Sequence, residues 1–190
     1  LFENLNSGNY TIQIIDEHGC QLDTTIVLQN PEGISITSFS STDITCHDYD
    51  DGAITVLGAG GTPPLSYNLQ PNDITNSTGT FTGLDSGTYT VVITDIYNCA
   101  ASITPDIVIL NPDSIIIDSS QFEDITCHNL NDGMISVYSS GGTGTLTYTL
   151  LPNNISDTLG IFNGLGQDTY TVSVTDENNC PAVISDTIII

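Results

Sequence analysis

The sequence repeats itself at a fixed spacing of 81 residues. The pairs that recur at this spacing are cysteines, glycines and prolines: Cys46 and Cys127, Gly52 and Gly133, Cys99 and Cys180, Pro31 and Pro112. Such a spacing is typical of like modules in tandem, each with its own small core. We expect the C-terminal part of a truncated repeat at residues 1–30, a first complete module at residues 31–111 and a second complete module at residues 112–190. The chain is then a piece of a longer array.

One segment occurs three times, around Tyr10, Tyr89 and Tyr170. Apolar residues stand two and four places after each tyrosine, with mostly polar residues between them, which predicts a half-buried strand. The preceding Leu-x-x-Gly is typical of a tyrosine corner, in which the tyrosine hydroxyl binds the backbone of the turn before it. The third copy has Asp168 in place of the glycine, and aspartate accepts a left-handed turn less readily than glycine does.

Further alternating segments follow one another through each complete module and are separated by Gly and Pro turns. In the first complete module they are Ile34, Ile36 and Ile44 for strand A, Ile54 and Val56 for strand B, Leu65, Tyr67 and Leu69 for strand C, the tyrosine strand F, and Ile107 and Ile109 for strand G. The stretch from Pro71 to Thr80 is polar and is expected to be a connection. No segment has a 3.6-residue period. The pattern predicts an all-β fold of tandem immunoglobulin-like β-sandwich modules arranged head to tail.

The chain is strongly acidic, with 23 Asp and Glu residues, no Lys or Arg and a net charge of -23. Nucleic acid is excluded as a partner because phosphate contacts require Lys or Arg. No apolar run is long enough for a membrane helix, so no membrane insertion is expected. The charge favours solubility and repulsion between neighbouring filaments. Binding of a divalent cation is the alternative.

One loop has the alternating carboxylates of a calcium site: Asp48, Asp50 and Asp51, followed by Gly52. The second complete module has asparagines at two of these positions and keeps Asp132. Calcium prefers such oxygen ligands, so Ca²⁺ is the one candidate cofactor. A polar turn capped by Asp or Asn is the alternative and the favoured interpretation. No catalytic motif is present, and we expect no enzyme activity.

Each complete module has one cysteine before strand B and one after strand F, and the five cysteines predict an oxidising compartment. In an immunoglobulin-type sandwich these two positions lie at opposite ends, about 25 Å apart, whereas a disulfide needs Cα atoms within about 7 Å. Head-to-tail stacking instead places Cys46 beside Cys180. We therefore expect a Cys46–Cys180 bond between modules, with Cys20 and Cys99 bonded upstream and Cys127 downstream. The alternatives are Cys46–Cys99 with Cys127–Cys180, Cys99–Cys127, and free thiols.

The motifs together resemble a known family. Ile-Thr-Cys-His-x-x-x-Asp-Gly-x-Ile, then Gly-Gly-Thr-x-x-x-x-Tyr, then Phe-x-x-Leu-x-x-Gly-x-Tyr-x-Val-x-x-Thr-Asp-x-x-x-Cys is similar to the SprB repeat of large cell-surface adhesins of gliding Bacteroidota. The resemblance covers residues 43–99 and 124–180, with a partial copy at residues 1–20. The glycine position of the third copy is its one local departure.

The resemblance implies a secreted protein with extracellular localisation on the cell surface. It implies export by type IX secretion and display as a filament attached to the outer membrane. The gliding machinery would be contacted through other parts of the protein, and neighbouring repeats of the same chain would be the direct partners. The resemblance also implies O-glycosylation at Asp-Ser/Thr-apolar or Asp-Thr-Thr sequences, which occur at Thr24, Ser114, Thr158 and Thr187.

The function expected from these observations is that of an extended stalk in gliding motility and surface attachment. The alternatives are a calcium- or glycan-binding module and a non-catalytic spacer of a secreted enzyme.

Overall fold

The computed structural model describes residues 1–98 and 102–190, and its strands fall into three groups. The first group is a hairpin of β1 (Gly8–Ile15) and β2 (Gln21–Leu28). The second group is β3 (Ser35–Thr42), β4 (Gly52–Ala59), β5 (Ser66–Gln70), β6 (Ile74–Asn76), β7 (Thr80–Leu84), β8 (Gly87–Thr94), β9 (Ser102–Ile103) and β10 (Ile107–Ile109). The third group is β11 (Ile116–Glu123), β12 (Gly133–Ser140), β13 (Thr147–Leu151), β14 (Ile155–Asp157), β15 (Ile161–Leu165), β16 (Thr169–Thr175), β17 (Val183–Ile184) and β18 (Ile188–Ile189). Within the described ranges, no helix has the length and apolar character needed to cross a membrane.

The sheet order of the complete modules is that of an immunoglobulin-like sandwich. In the first, β3, β4 and β7 form one sheet, and β6, β5, β8 and β10 form the other, with β9 also paired to β8. In the second, β11, β12 and β15 face β14, β13, β16 and β17, with β18 also paired to β16. Every pairing between described strands is antiparallel, both between successive strands such as β3 and β4 and between distant ones such as β5 and β8. The predicted all-β, tandem immunoglobulin-like fold is confirmed.

The core of each complete module is formed by the inward-facing residues of both sheets. In the first, Ile54 and Val56 of β4 belong to one cluster with Val91 and Ile93 of β8, and none of these side chains is exposed to solvent. Each buried aliphatic side chain of this size contributes about 1.5–3 kcal/mol. The second complete module has the same cluster at the equivalent positions. The alternation seen in the sequence therefore separates the buried face of each strand from its exposed face.

The structure differs from the predicted strands in three places. The stretch from Pro71 to Thr80, expected to be a polar connection, contains the short strand β6. Strand G is divided into β9 and β10. Ile34 and Ile44, assigned to strand A, lie outside β3, although Ile44 is buried and Ile34 packs against the core. A strand of two or three residues is too short to show a period of two, so the sequence pattern cannot reveal it.

The tyrosine corners are present in all three repeats. The hydroxyl donates to the carbonyl four residues earlier: Tyr10 to Asn6 at 2.8 Å, Tyr89 to Asp85 at 3.0 Å, and Tyr170 to Gly166 at 3.1 Å. Asp168 is not among the residues with positive φ. The glycine position of this turn therefore needs no left-handed backbone, and aspartate fits there without strain.

Candidate functional site: the junction between the complete modules

A disulfide crosses from one complete module to the other. Cys46, in the loop between β3 and β4, is bonded to Cys180, which follows β16, with 5.4 Å between their Cα atoms. Both cysteines are buried at the junction, with 4% and 7% of their surface exposed. Head-to-tail stacking favours this pair, and its presence excludes Cys46–Cys99 and Cys127–Cys180 in the same molecule.

Asp176 holds Cys180 in position. One oxygen of its carboxylate accepts hydrogen bonds from the backbone N–H groups of Asn178 and Cys180, both at 3.0 Å. The other oxygen accepts from the N–H of Thr143 at 2.9 Å. Only 4% of Asp176 is exposed, and these three donors replace the water that a buried carboxylate loses. The turn that presents the cysteine is thereby fixed to the body of its module.

The same aspartate stands four residues before a cysteine in every repeat. Asp16 accepts from the N–H of Cys20 at 2.8 Å and from that of His18 at 2.9 Å. Asp95 accepts from the N–H of Thr62 at 3.1 Å, while Cys99 lies outside the described residues. Sequence reasoning assigned no role to these aspartates, although their recurrence at one spacing before the cysteine was a signal that could have revealed it.

The opposite side of the junction is organised by Asp51. Its carboxylate accepts from the backbone N–H of Thr45 at 2.9 Å and also from the Thr45 hydroxyl. These bonds, the hydroxyl bond foremost, lower the pKa of Asp51. The Thr45 carbonyl in turn accepts a 3.0 Å hydrogen bond from the side-chain amide of Asn178 in the other module. Asp51 therefore shapes the loop that receives the second complete module.

The linker between the modules is bound to the same loop. Asn111 and Asp48 are joined by two hydrogen bonds. The backbone N–H of Asp48 donates to the side-chain oxygen of Asn111 at 3.1 Å, and the side-chain amide of Asn111 donates to the Asp48 carboxylate at 2.9 Å. His47 donates through Nδ1 to the carbonyl of Pro112 at 2.8 Å. Asp43 accepts from the N–H of Leu110 at 2.8 Å. The Asn-Pro boundary is therefore fixed by side chains rather than only by the stiffness of proline.

The candidate metal ligands do not converge. Asp48 binds Asn111, and Asp51 binds Thr45. Asp132 binds the N–H and hydroxyl of Thr126 in the second complete module, and the hydroxyl bond is the main cause of its lowered pKa. Asp50 lies beside Asp85, and hydrogen bonding with and repulsion by that carboxyl raise the pKa of Asp50.

Among residues 1–98 and 102–190, no group of three or more His, Cys, Asp or Glu side chains is arranged to hold a metal ion. The observed contacts are those of polar turns, and calcium binding stays a prediction.

The other predicted sites lie on the surface. Cys20 and Cys127 are exposed thiols without a disulfide partner among residues 1–98 and 102–190. The candidate O-glycosylation residues are all exposed: Thr24, Ser114, Thr158 and Thr187. Their exposure is compatible with modification, which stays a prediction.

The chain resembles known proteins in two ways, through a match to a sequence family and through distant likeness to solved structures. A family model described as the SprB repeat matches residues 38–74 and 119–154. These segments cover part of β3 with β4 and β5, and part of β11 with β12 and β13, but not the tyrosine strands or the partial copy at residues 1–20. No curated protein matches the chain.

Several solved structures have a similar fold. A C-terminal fragment of intimin, in complex with the intimin-binding domain of its translocated receptor, is 17% identical, with a TM-score of 0.40 over 82% of this chain. Immunoglobulin domains 1–5 of Sidekick-1 are 13% identical, with a TM-score of 0.43 over 97% of this chain. Extracellular domains 3–5 of Drosophila OTK are 14% identical, with a TM-score of 0.33 over 97% of this chain. The chain spans 64% of the intimin fragment, 46% of the Sidekick-1 chain and 70% of the OTK chain. These likenesses are too distant to indicate a function.

The resemblance inferred from the sequence is therefore supported by the family match, and two segments of the chain, residues 38–74 and 119–154, are similar to the SprB repeat.

Proposed function

We propose that this chain is a stalk segment of an extracellular cell-surface adhesin. The observation on which the proposal rests is the junction, where one disulfide joins the modules directly and side chains bind the linker between them. A short free linker would let two modules swing, because few contacts cross an ordinary domain boundary. Fixing the linker removes this freedom and keeps the modules in line, which favours an extended stalk.

We also propose that neighbouring repeats dock at the outer ends in the same way. The loop before β12 repeats the loop before β4: Asp132 binds Thr126 as Asp51 binds Thr45. Cys127 is exposed there, whereas Cys46 is buried by its partner module. The turn at Asp16 holds Cys20 as the turn at Asp176 holds Cys180. Each outer end thus has one half of the junction that is seen complete in the middle of the chain.

The more specific parts of the proposal rest on the SprB resemblance alone. These are a role in gliding motility and surface attachment, export by type IX secretion, and display as a filament attached to the outer membrane. The contact with the gliding machinery would lie elsewhere in a longer protein. The repeat segments and the lack of any recognisable catalytic motif favour a non-catalytic role. A calcium- or glycan-binding module and a spacer of a secreted enzyme remain the competing functions.

Small-angle X-ray scattering on the whole chain tests the stalk. With about 35–40 Å for each sandwich, the two complete modules should give an extended particle at least 70–80 Å long. Reduction should leave both cores folded but broaden the distribution of distances, since the disulfide no longer restrains the junction. A C127S variant should behave like the native chain, because Cys127 takes no part in this junction. A compact particle with the modules side by side would contradict the proposal.

A further inference from the structure

We propose that the Cys46–Cys180 bond is a mechanical bypass, which transmits tension along the stalk while β4–β16, and with them most core residues of the two modules, lie outside the loaded path. The biological setting rests on the proposed stalk, but the property itself follows from the chain connectivity. A disulfide usually stabilises the domain in which it lies. This bond also determines which part of the polypeptide a pulling force can reach.

The connectivity divides the chain into a loaded part and a shielded part. Cys46 and Cys180 are separated by 134 positions in the sequence. Everything between them forms a covalently closed loop that contains β4–β10 and β11–β16. Tension applied at the two ends of the chain reaches Cys46 from the N-terminal side, crosses the sulfur–sulfur bond, and continues from Cys180. The loop lies outside this path.

Within the two complete modules, the strands on the loaded path have little length to release. On the N-terminal side of Cys46 the path contains β3, whose eight residues are already extended. After Cys180 it contains only the short strands β17 and β18. A strand rises about 3.3 Å per residue, against a limit of about 3.6 Å for a stretched chain. Detaching β3, β17 and β18 therefore adds little extension, whereas opening the loop would add about 450 Å. The β1–β2 hairpin of the partial repeat also lies on the path, but its release is the same in the oxidised and the reduced chain.

The position of the bond also shields the linker. Asn111 and Pro112 lie within the closed loop, so the hydrogen bonds they make with Asp48 and His47 bear no tension. Bonds within each module, such as Cys46–Cys99 and Cys127–Cys180, would leave the linker on the loaded path. The stalk would then yield first at its joints. A bond across the junction keeps the joint and the strands β4–β16 off the loaded path.

Single-molecule stretching of the whole chain, held by handles at residues 1 and 190, tests this inference. In the oxidised chain, the total contour length released on unfolding should be shorter by about 450 Å than in the same chain treated with a phosphine reductant. The reduced chain should show two additional unfolding steps, one for each complete module. Equal contour lengths before and after reduction would overturn the inference. A difference made of separate releases of about 180 Å per module would also overturn it, because this indicates bonds within modules.

Two variants control the experiment. The triple variant Cys20→Ser, Cys99→Ser, Cys127→Ser keeps only the junction pair and should behave like the oxidised native chain. The double variant Cys46→Ser, Cys180→Ser should behave like the reduced chain. If the double variant does not fold, reduction of the native chain still gives the comparison.

The stretching experiment tests the bypass independently of the proposed stalk function. A compact or flexible particle in solution scattering would contradict the stalk, while the contour-length difference would still report the bypass.

Discussion

The carboxylate of Asp176 accepts a 3.0 Å hydrogen bond from the backbone N–H of Cys180, the residue that crosses to the other module. The same carboxylate is anchored to Thr143, so the turn that carries the cysteine is fixed to the body of its module. Cys46 is presented in turn by a loop that Asp51 shapes through Thr45. Two aspartates, one in each module, thus set the geometry of one covalent bond.

Replacing Asp176 should weaken the junction bond. Asp176→Ala removes hydrogen bonds to a buried charge, each worth about 1.5–3 kcal/mol. We expect the Cys46–Cys180 bond to be at least about 10-fold easier to reduce at equilibrium in a glutathione buffer. Asp95→Ala removes the equivalent aspartate of the first complete module and should leave this equilibrium unchanged. Equal shifts in the two variants would show that the turn does not position Cys180.

Loss of the disulfide should lower stability substantially. Closing a loop with a separation of 134 residues stabilises a folded chain by up to about 5 kcal/mol in the chain-entropy estimate. Cys46→Ser should therefore lower the free energy of unfolding by about 2–5 kcal/mol, measured by urea denaturation without reductant. Cys127→Ser changes an exposed free thiol, and its effect should stay within about 0.5 kcal/mol. A Cys46→Ser chain as stable as the native one would contradict the structure.

The Thr–Asp pairs should make the protein sensitive to acid. Hydrogen bonds from Thr45 lower the pKa of Asp51, and those from Thr126 lower the pKa of Asp132. The ionised form is therefore favoured in the folded state. Its contribution is present above the unfolded pKa of about 3.9 and is lost as the pH falls through the folded pKa. Asp51→Asn and Asp132→Asn should flatten the fall in melting temperature between about pH 5 and pH 2.

Asp50 provides a matched control for this pH dependence, because its pKa is shifted in the opposite direction from that of Asp51. The Asp85 carboxyl raises the pKa of Asp50, so the charged form of Asp50 is disfavoured in the folded state. Asp50→Asn should raise the melting temperature at neutral pH and should not flatten the acid limb. If Asp50→Asn and Asp51→Asn gave the same pH profile, the hydrogen bonds assigned to Thr45 would not control the acid response.

The tyrosine corners should limit stability at high pH. Burial raises the pKa of Tyr89, with a smaller contribution from the charge of Asp85. Burial likewise raises the pKa of Tyr170, with Asp168 contributing less. The neutral tyrosine is favoured in the folded state, so its contribution is complete below the unfolded pKa of about 10 and is lost as the pH rises through the folded pKa.

Tyr89→Phe should cost about 1 kcal/mol at neutral pH, because the bond to the Asp85 carbonyl is lost. The variant should also lose less stability than the native chain as the pH rises above about 10, because phenylalanine does not ionise on unfolding. Thermal unfolding at several pH values measures both effects. Tyr138→Phe is the control, since Tyr138 is 49% exposed. A Tyr89→Phe chain with native alkaline sensitivity would contradict the assignment.

The sequence predicts those parts of the structure that depend on periodicity and spacing. The alternation after Tyr89 identifies the central strand β8, and the positions of Cys46 and Cys180 at opposite module ends point to a bond between modules. It does not reveal β6, whose three residues are too few to form a pattern.

The sequence alone does not define which groups the aspartate carboxylates bind. Asp48 and Asp51 have the spacing of calcium ligands, yet they bind Asn111 and Thr45. One of these partners, Asn111, is distant in the sequence and becomes a neighbour only when the module folds. The spacing of Asp176 before Cys180 indicates its place in the turn but not its burial. The roles of Asp48 and Asp51 depend on contacts that form only in the folded module.

The two complete modules are bonded to each other rather than closed within themselves. Peptide mapping of the whole chain under non-reducing conditions distinguishes these two arrangements. The chain has no Lys or Arg for trypsin, so it is cleaved beside Asp and Glu. We expect a linked peptide that contains Cys46 and Cys180 and disappears on reduction. A linked peptide that joins Cys46 to Cys99 would rule out the bond between modules.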